Sequence, residues 1–169
     1  MSGEQKLKEE YEYIKNGSLK NINAHVSIID NDFFHWFGTI IGPQETLYEG
    51  FYIFEIRFDS NYPNSPPKFQ MRTPIYHPNI WCVNGNICTP YLYQWNNRHN
   101  ITGLIHALFL LLAQPNECDA YYPYSKDYEK AKKFREKYAT TYLYGKFDWK
   151  NSWDKGWDNN YMEKNTFYE

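Results

Sequence analysis

Cys88 and Asn79 are the residues whose types and spacing most directly suggest chemistry. Cys88 ends the run Asn84-Gly85-Asn86-Ile87-Cys88, and a deprotonated thiol is a strong nucleophile. Asn79 stands nine residues earlier, after His77-Pro78, and its amide group carries two N–H donors. An amide that is held rigidly can stabilise the oxyanion that develops when a thiol exchanges an acyl group. The pair therefore suggests acyl transfer through a cysteine.

Two other kinds of site could use the same cysteine. A zinc site needs nitrogen and sulfur ligands, and the chain offers His77, Cys82, Cys88 and Cys118, although their spacing matches no paired Cys-x-x-Cys arrangement. A cysteine hydrolase needs a base, for which the candidates are His25, His35, His99 and His106. No hydrolase signature surrounds Cys88, and a histidine on an apolar helix, such as His106, is usually a core residue. We predict neither a metal ion nor a cofactor.

The composition indicates an intracellular protein with one main domain. The 169 residues carry a formal net charge of -2, which disfavours nucleic acid as a partner. Three cysteines do not form the usual framework of a secreted disulfide protein. The charged residues 1–15 lack an apolar signal segment, and the longest apolar run, residues 107–113, is too short to cross a bilayer. We expect a protein of the cytoplasm, the nucleus or both, with no membrane partner.

The elements before Cys88 begin with one helix and four strands. Leu7, Tyr11 and Ile14 share one helix face, and Asn16-Gly17-Ser18 predicts the end of that helix. Runs with strand patterns cover residues 24–29, 33–41, 51–58 and 68–72. In the third run the apolar residues share one face, and Glu55 and Arg57 lie on the other; the apolar residues are Tyr52, Phe54, Ile56 and Phe58.

The segment that carries Cys88 has no regular pattern. Residues 73–99 are punctuated by Pro, Asn and Gly, but they include apolar anchors such as Trp81 and Trp95. A long irregular stretch inside a compact domain is usually functional or disordered, and the anchors favour an ordered functional loop.

Two helices are predicted after this loop. Asn100 is a suitable cap for a helix over residues 101–114, and that helix is apolar nearly all round, which predicts full burial. A second helix over residues 126–142 has a predicted inner stripe of Tyr128, Ala131, Phe134, Tyr138 and Tyr142. Beyond Gly145, Trp149, Trp153 and Trp157 recur every four residues.

Together these motifs resemble the ubiquitin-conjugating enzyme family. The run Tyr76-His77-Pro78-Asn79-Ile80 followed by Gly85-Asn86-Ile87-Cys88 is similar to the active-site signature of that family. Further motifs match in order and spacing: Gly42-Pro43 with Thr46, Tyr48, Glu49 and Gly50, then Tyr62-Pro63 before Pro66-Pro67-Lys68, then Trp95 and Pro115-Asn116. The resemblance covers residues 4–142.

The resemblance implies a fold and a domain division. The fold class is α+β, with an N-terminal helix, a four-stranded antiparallel meander, a long active-site loop, and central and C-terminal helices. Residues 1–144 would form the core domain, and residues 145–169 would be a C-terminal extension rich in Trp and Asn.

The resemblance also implies a role for each matched residue. Cys88 would accept the C-terminal glycine of ubiquitin, or of a ubiquitin-like protein, from an activating enzyme as a thioester. Asn79 would stabilise the oxyanion or hold the active-site loop, and His77 and Pro78 would be structural. Asp119 would orient an acceptor lysine, whose pKa would have to be lowered by desolvation, because a carboxylate alone raises it.

Surfaces for partners follow from the same resemblance. Lys6 and Lys8 are candidates for contact with the activating enzyme, with a solvated basic face as the alternative. Four residues lie where members of the family contact ligases: Pro63, Asn64, Asn97 and Arg98. Asn64 replaces an aromatic residue, and Asn96-Asn97-Arg98-His99 lacks the usual serine-proline-alanine, which weakens the case for RING-type ligases. The implied partners are the modifier, its activating enzyme, a ligase of unknown type and protein substrates.

Departures from the family pattern near Cys88 leave the acceptor open. Thr89 replaces a leucine, and Ala120 replaces a proline. Pro90 stands where members of the family that react with lysine often have Asp or Asn, whereas Asp119 favours lysine as the acceptor. We therefore expect transfer to a lysine or to a ligase cysteine.

The main alternative is an inactive relative that only presents ubiquitin, although such relatives generally lose the cysteine. Cys118, beside Asp119, is either a second reactive thiol or an incidental small residue.

Overall fold

Four antiparallel strands and their flanking helices make up the computed structural model, which describes residues 1–81, 84–116 and 127–140. The helices are α1 (Gly3–Tyr13), α2 (Pro90–Tyr93), α3 (Ile101–Ala113) and α4 (Tyr128–Tyr138), and the strands are β1 (Ala24–Ile29), β2 (Asp32–Gly42), β3 (Gly50–Arg57) and β4 (Lys68–Met71). The predicted α+β fold, with an N-terminal helix and a four-stranded meander, is confirmed.

The sheet is a simple meander in the order β1-β2-β3-β4. Asp30 and Asn31 form the tight turn between β1 and β2 with φ values of 52° and 60°, which Asp and Asn tolerate better than most residues. The register pairs Trp36 with Ile56 and Gly38 with Phe54, so the predicted apolar face of β3 looks into the core. Tyr11 of α1 packs edge-on against Trp36 with ring centroids 5.4 Å apart, which places α1 on that face.

The central helix α3 is buried on one side only. Asn100 caps it as predicted, since its side chain accepts a hydrogen bond from Gly103 N at 2.8 Å. Leu104, Ile105 and Leu108 are completely buried, but Leu110 is 65% exposed. The expectation of burial all round is wrong, because apolar composition does not say how many neighbours a helix has.

The inner face of α4 is shorter than the predicted stripe. Ala131, Phe134 and Tyr138 are buried, whereas Tyr128 is 55% exposed because it stands at the first residue of the helix. Tyr142 and the predicted start at residue 126 lie outside the described residues, as does the predicted extension 145–169. Beyond the helix, Phe51 N donates to Ala139 O at 3.0 Å, which ties this end of the chain to β3.

Candidate active site

The segment that leads to Cys88 is anchored to the last strand of the sheet. Met71 N donates to Gly85 O at 2.8 Å, and Ile87 N donates to Phe69 O at 3.1 Å. Trp81 contacts the same segment, because its N–H donates to Asn86 O at 2.8 Å and its carbonyl accepts from Gly85 N at 2.8 Å. Gly85 turns there with φ at 78°, a value that glycine adopts without steric cost. The irregular segment is thus ordered around Cys88, as predicted.

Cys88 itself is half-buried and joined to Asn79 through the backbone. Cys88 N donates to Asn79 O at 2.8 Å, so the structure brings together the two residues that the sequence singled out. Immediately afterwards Thr89 caps α2, with Tyr91 N donating to Thr89 Oγ1 at 3.3 Å, and Pro90 is its first residue. Proline suits this position because the first N–H groups of a helix have no partner within the helix.

The side chain of Asn79 reaches a third segment of the chain. Its Nδ2 donates to Asn116 O at 2.7 Å, and its Oδ1 accepts from Asn116 N at 2.8 Å. The amide is almost completely buried, with 1% exposure. Buried amides are normally hydrogen-bonded, and this pair clamps the loop before Cys88 to the segment that follows α3.

His77 is a buried ring between two backbone groups. Its Nε2 donates to Leu111 O at 2.9 Å, and its Nδ1 accepts from Asn79 N at 3.0 Å. Burial lowers the pKa of His77 to about 4, because the charged ring would lose its hydration. The ring is therefore neutral at physiological pH and links α3 to the loop; Pro78 beside it is also buried.

The other histidines have contacts elsewhere in the fold. His35 Nε2 lies 2.7 Å from Glu55 Oε2, and His106 Nδ1 donates to Thr102 O at 2.9 Å within α3. His99 stacks on the ring of Tyr91 with centroids 4.3 Å apart. These contacts give structural roles to three of the four histidines considered for a hydrolase, and His25 is an exposed residue of β1.

Three predicted residues lie outside the described residues: Cys82, Cys118 and Asp119. The role of Asp119 and the reactivity of Cys118 therefore stay predictions.

Within residues 1–81, 84–116 and 127–140, no group of three or more His, Cys, Asp or Glu side chains could hold a metal ion. In the same ranges no helix combines the length and the apolar character needed to cross a membrane.

The two lysines proposed for the activating enzyme differ in their surroundings. Lys8 is exposed, with its Nζ 2.7 Å from Glu4 Oε1 and 5.4 Å from the ring centroid of Phe33. Lys6 is half-buried, and its Nζ lies 3.7 Å from Glu10 Oε1. Lys8 therefore presents its charge to solvent, whereas Lys6 also lies near a buried carboxylate.

The four residues proposed for ligase contact belong to two loops that are joined together. Trp95 Nε1 donates to Pro63 O at 2.8 Å, which brings the loop of Asn97 and Arg98 to the loop of Asn64. Asn64, Asn97 and Arg98 are exposed.

Glu10 anchors the proline-rich loop to the rest of the domain, a role that the sequence did not reveal. Tyr62 Oη donates to Glu10 Oε1 at 2.7 Å, and Ile101 N, at the start of α3, donates to Glu10 Oε2 at 2.7 Å. One carboxylate thus connects α1, the proline-rich loop and α3. A signal was present, because Glu10 follows Leu7 by three residues on the inner face of α1.

Comparisons with known proteins agree with this geometry. The family model described as "Ubiquitin-conjugating enzyme" matches residues 6–143. A segment of 89 residues is 39% identical to "Ubiquitin-conjugating enzyme E2-20 kDa" of Schizosaccharomyces pombe, and the match covers 52% of this chain and 50% of that relative. The matched segment thus spans about half the length of this curated relative.

Solved structures are similar over a larger part of the chain. A crystal structure from Plasmodium yoelii, of a protein assigned to the ubiquitin-conjugating enzymes, has a TM-score of 0.73 and 28% identity, and the match covers 83% of this chain and 97% of that one. The E2 domain of a ubiquitin-conjugating enzyme from Toxoplasma gondii has a TM-score of 0.69 and 28% identity, with 79% and 96% covered.

Proposed function

The chain belongs to the ubiquitin-conjugating enzyme family, and on that premise we propose that Cys88 carries ubiquitin, or a ubiquitin-like protein, as a thioester. The observation that carries the proposal is the junction of Cys88 with Asn79, whose backbone hydrogen bond measures 2.8 Å. It lies inside the matched region, on an ordered and half-buried loop.

The proposed reaction exchanges one thioester for another. The Cys88 thiolate attacks the modifier's thioester on the activating enzyme, so a new C–S bond forms and the activating enzyme's thiolate leaves. The modifier's carboxyl group stays activated, and the second step needs no ATP. In that step an acceptor amine or thiol attacks the thioester on Cys88 and releases the thiolate.

We assign Asn79 and His77 to different parts of this reaction. The buried, neutral His77 holds the loop and is not a base, because both ring nitrogens bond backbone groups. Asn79 clamps the loop to Asn116 in the resting state. The same side-chain amide is the candidate donor to an oxyanion that develops beside Cys88.

The proposal also names residues that would contact the acceptor, the activating enzyme and a ligase. Pro90 leaves no carboxylate or amide side chain at the second position after Cys88, so Asp119 is the residue proposed to orient a lysine. Lys8, with Lys6 beside it, would contact the activating enzyme, and the joined loops of Pro63, Asn64, Asn97 and Arg98 would contact a ligase. The proposed compartment is the cytoplasm, the nucleus or both.

A charging assay tests the function. Purified protein is mixed with ubiquitin, an activating enzyme and ATP, and the products are separated with and without reductant. We expect an adduct that reductant removes, and an adduct of Cys88→Ser that resists reductant, because an oxygen ester is not cleaved by thiols. The absence of an adduct with a panel of modifiers and their activating enzymes would overturn the proposal in favour of a module that binds without chemistry.

A further inference from the structure

A buried ionic cluster lies on the sheet face that looks away from α1. Glu55 neighbours Phe54 and Ile56 in β3, whose side chains face the core, so its own side chain lies on the opposite face. The Glu55 side chain is nevertheless completely buried, and Arg72 and His35 are only 2% and 6% exposed. Glu55 Oε2 lies 2.7 Å from His35 Nε2, and Glu55 Oε1 lies 3.6 Å from Arg72 Nε.

The donors that meet in the cluster fix the direction of its hydrogen bonds. Arg57 Nη2 lies 3.2 Å from His35 Nδ1, and a guanidinium group only donates. His35 Nδ1 therefore accepts, and His35 Nε2 donates to Glu55 Oε2. Arg72 provides the guanidinium group that lies next to the buried Glu55 carboxylate, and a buried carboxylate needs such a partner.

Gln70 continues the cluster towards the active-site loop. Arg72 Nη1 donates to Gln70 Oε1 at 3.3 Å, and Gln70 Nε2 donates to Asn86 Oδ1 at 2.8 Å. Gln70 is 4% exposed, and Asn86 stands two residues before Cys88. Contacts therefore run without interruption from Glu55 through Arg72 and Gln70 to Asn86.

The arginine determines which end of the Gln70 amide faces the loop. Because Arg72 can only donate, the amide oxygen turns to it and the amide nitrogen turns to Asn86. On either side of this contact the backbone of β4 holds Gly85 O and Ile87 N. The side-chain bond thus lies between two backbone bonds and adds a third link between the segment of Asn86 and β4.

We propose that Gln70, oriented by the Glu55–Arg72 ion pair, is a positioning residue for Cys88. By holding Asn86 it keeps the segment from Gly85 to Cys88 in one conformation, so that the thioester is presented to the acceptor in one orientation. The inference rests on the proposed thioester function of Cys88. Rates depend steeply on such placement, since a shift of about 1 Å can cost ~100-fold.

The test is a double-mutant cycle on the bond between the two amides. The variants are Gln70→Leu, Asn86→Ala and the double variant, with Thr39→Ala as a control on the same sheet face but outside the chain of contacts. Each protein is charged with ubiquitin, and its thioester is then discharged in a single turnover by free lysine or free cysteine, whichever discharges the wild type.

We expect each single variant to discharge roughly tenfold more slowly at saturating acceptor, with the half-saturating acceptor concentration unchanged. The double variant should be no slower than the slower single variant, because the two residues act through one bond. Thr39→Ala should match the wild type. Wild-type rates in both single variants, or losses that multiply in the double variant, would overturn the proposal.

Hydrogen exchange of the uncharged proteins gives a readout that does not depend on charging. The amides of Ile87 and Cys88 should exchange faster in Gln70→Leu and Asn86→Ala, while those paired between β2 and β3 keep their rates. If the wild type forms no thioester with ubiquitin or with any other modifier of the panel, the proposed function fails, and the exchange rates still decide whether Gln70 holds the loop. Asn86 is exposed, so Asn86→Ala keeps the test decisive if Gln70→Leu does not fold.

Discussion

The side-chain amide of Asn79 and the backbone of Asn116 form a closed pair of hydrogen bonds, with distances of 2.7 and 2.8 Å. The pair joins two loops that are 37 residues apart in the chain. Asn79 also accepts the backbone N–H of Cys88 through its own carbonyl. Asn79 therefore links the proposed nucleophile to the segment that follows α3.

Replacing Asn79 by alanine should affect both stability and transfer. Asn79→Ala removes both bonds to Asn116, and we expect the free energy of unfolding to fall by about 1–3 kcal/mol. We also expect discharge of the thioester to slow by roughly 100-fold, because the amide is the proposed donor to the oxyanion. Urea denaturation and single-turnover discharge measure the two effects, with the exposed Asn21→Ala as control. Unchanged stability together with slow discharge would show that the bonds between Asn79 and Asn116 do not stabilise the fold.

The stability of the protein should depend on pH through His77. Its pKa in the folded state is about 4, whereas an unfolded histidine has a pKa of about 6.5. Between these values only the unfolded chain binds the proton, so acid favours unfolding. This group's contribution is fully present above about pH 6.5, and about 3 kcal/mol of it is lost by about pH 4.

Urea denaturation at several pH values checks that prediction. His77→Gln should be less stable than the wild type at pH 7 and should lose less stability on acidification, because it has no imidazole to protonate. The difference between the two proteins isolates His77 from the other titrating groups. Parallel curves for the wild type and His77→Gln would show that the ring titrates alike in the folded and unfolded chains.

Tyr62 should stabilise the junction of α1, the proline-rich loop and α3. Desolvation raises the pKa of the Tyr62 hydroxyl, so it remains a donor to Glu10 at any ordinary pH. Tyr62→Phe removes this charge-assisted bond, and we expect the free energy of unfolding to fall by about 1.5–3 kcal/mol. Tyr13→Phe is the matched control, because Tyr13 is 62% exposed. Equal effects of the two variants in urea denaturation would contradict the prediction.

Lys8 should contribute to charging through its exposed position. Lys8→Ala removes a surface charge, and such changes at the rim of an interface mainly lower the association rate. With limiting activating enzyme we expect initial charging to be about fivefold slower at low salt, and the difference to shrink as salt increases. Lys132→Ala, on the exposed face of α4, serves as control. Identical rates for the two variants at low salt would favour a merely solvated basic face at Lys8.

Features that depend on neighbouring residues could be predicted from the sequence. The Asn100 cap and the alternation that defines β3 appear as expected, because capping and side-chain alternation act over a few residues. The predictions that proved wrong concerned the burial of apolar residues on the outer face or at the end of a helix. Leu110 and Tyr128 have the residue type of a core position, but exposure depends on whether another element packs there.

By itself the sequence determined which residue types the site offers, a cysteine and an asparagine nine residues apart within a recognisable motif. It also determined the elements that carry them. Only the tertiary structure decided that Asn79 is clamped by Asn116 and that Glu55 is buried beside Arg72. Such partners are far apart in the chain, and they meet only after loops close and strands pair, so no local pattern encodes them.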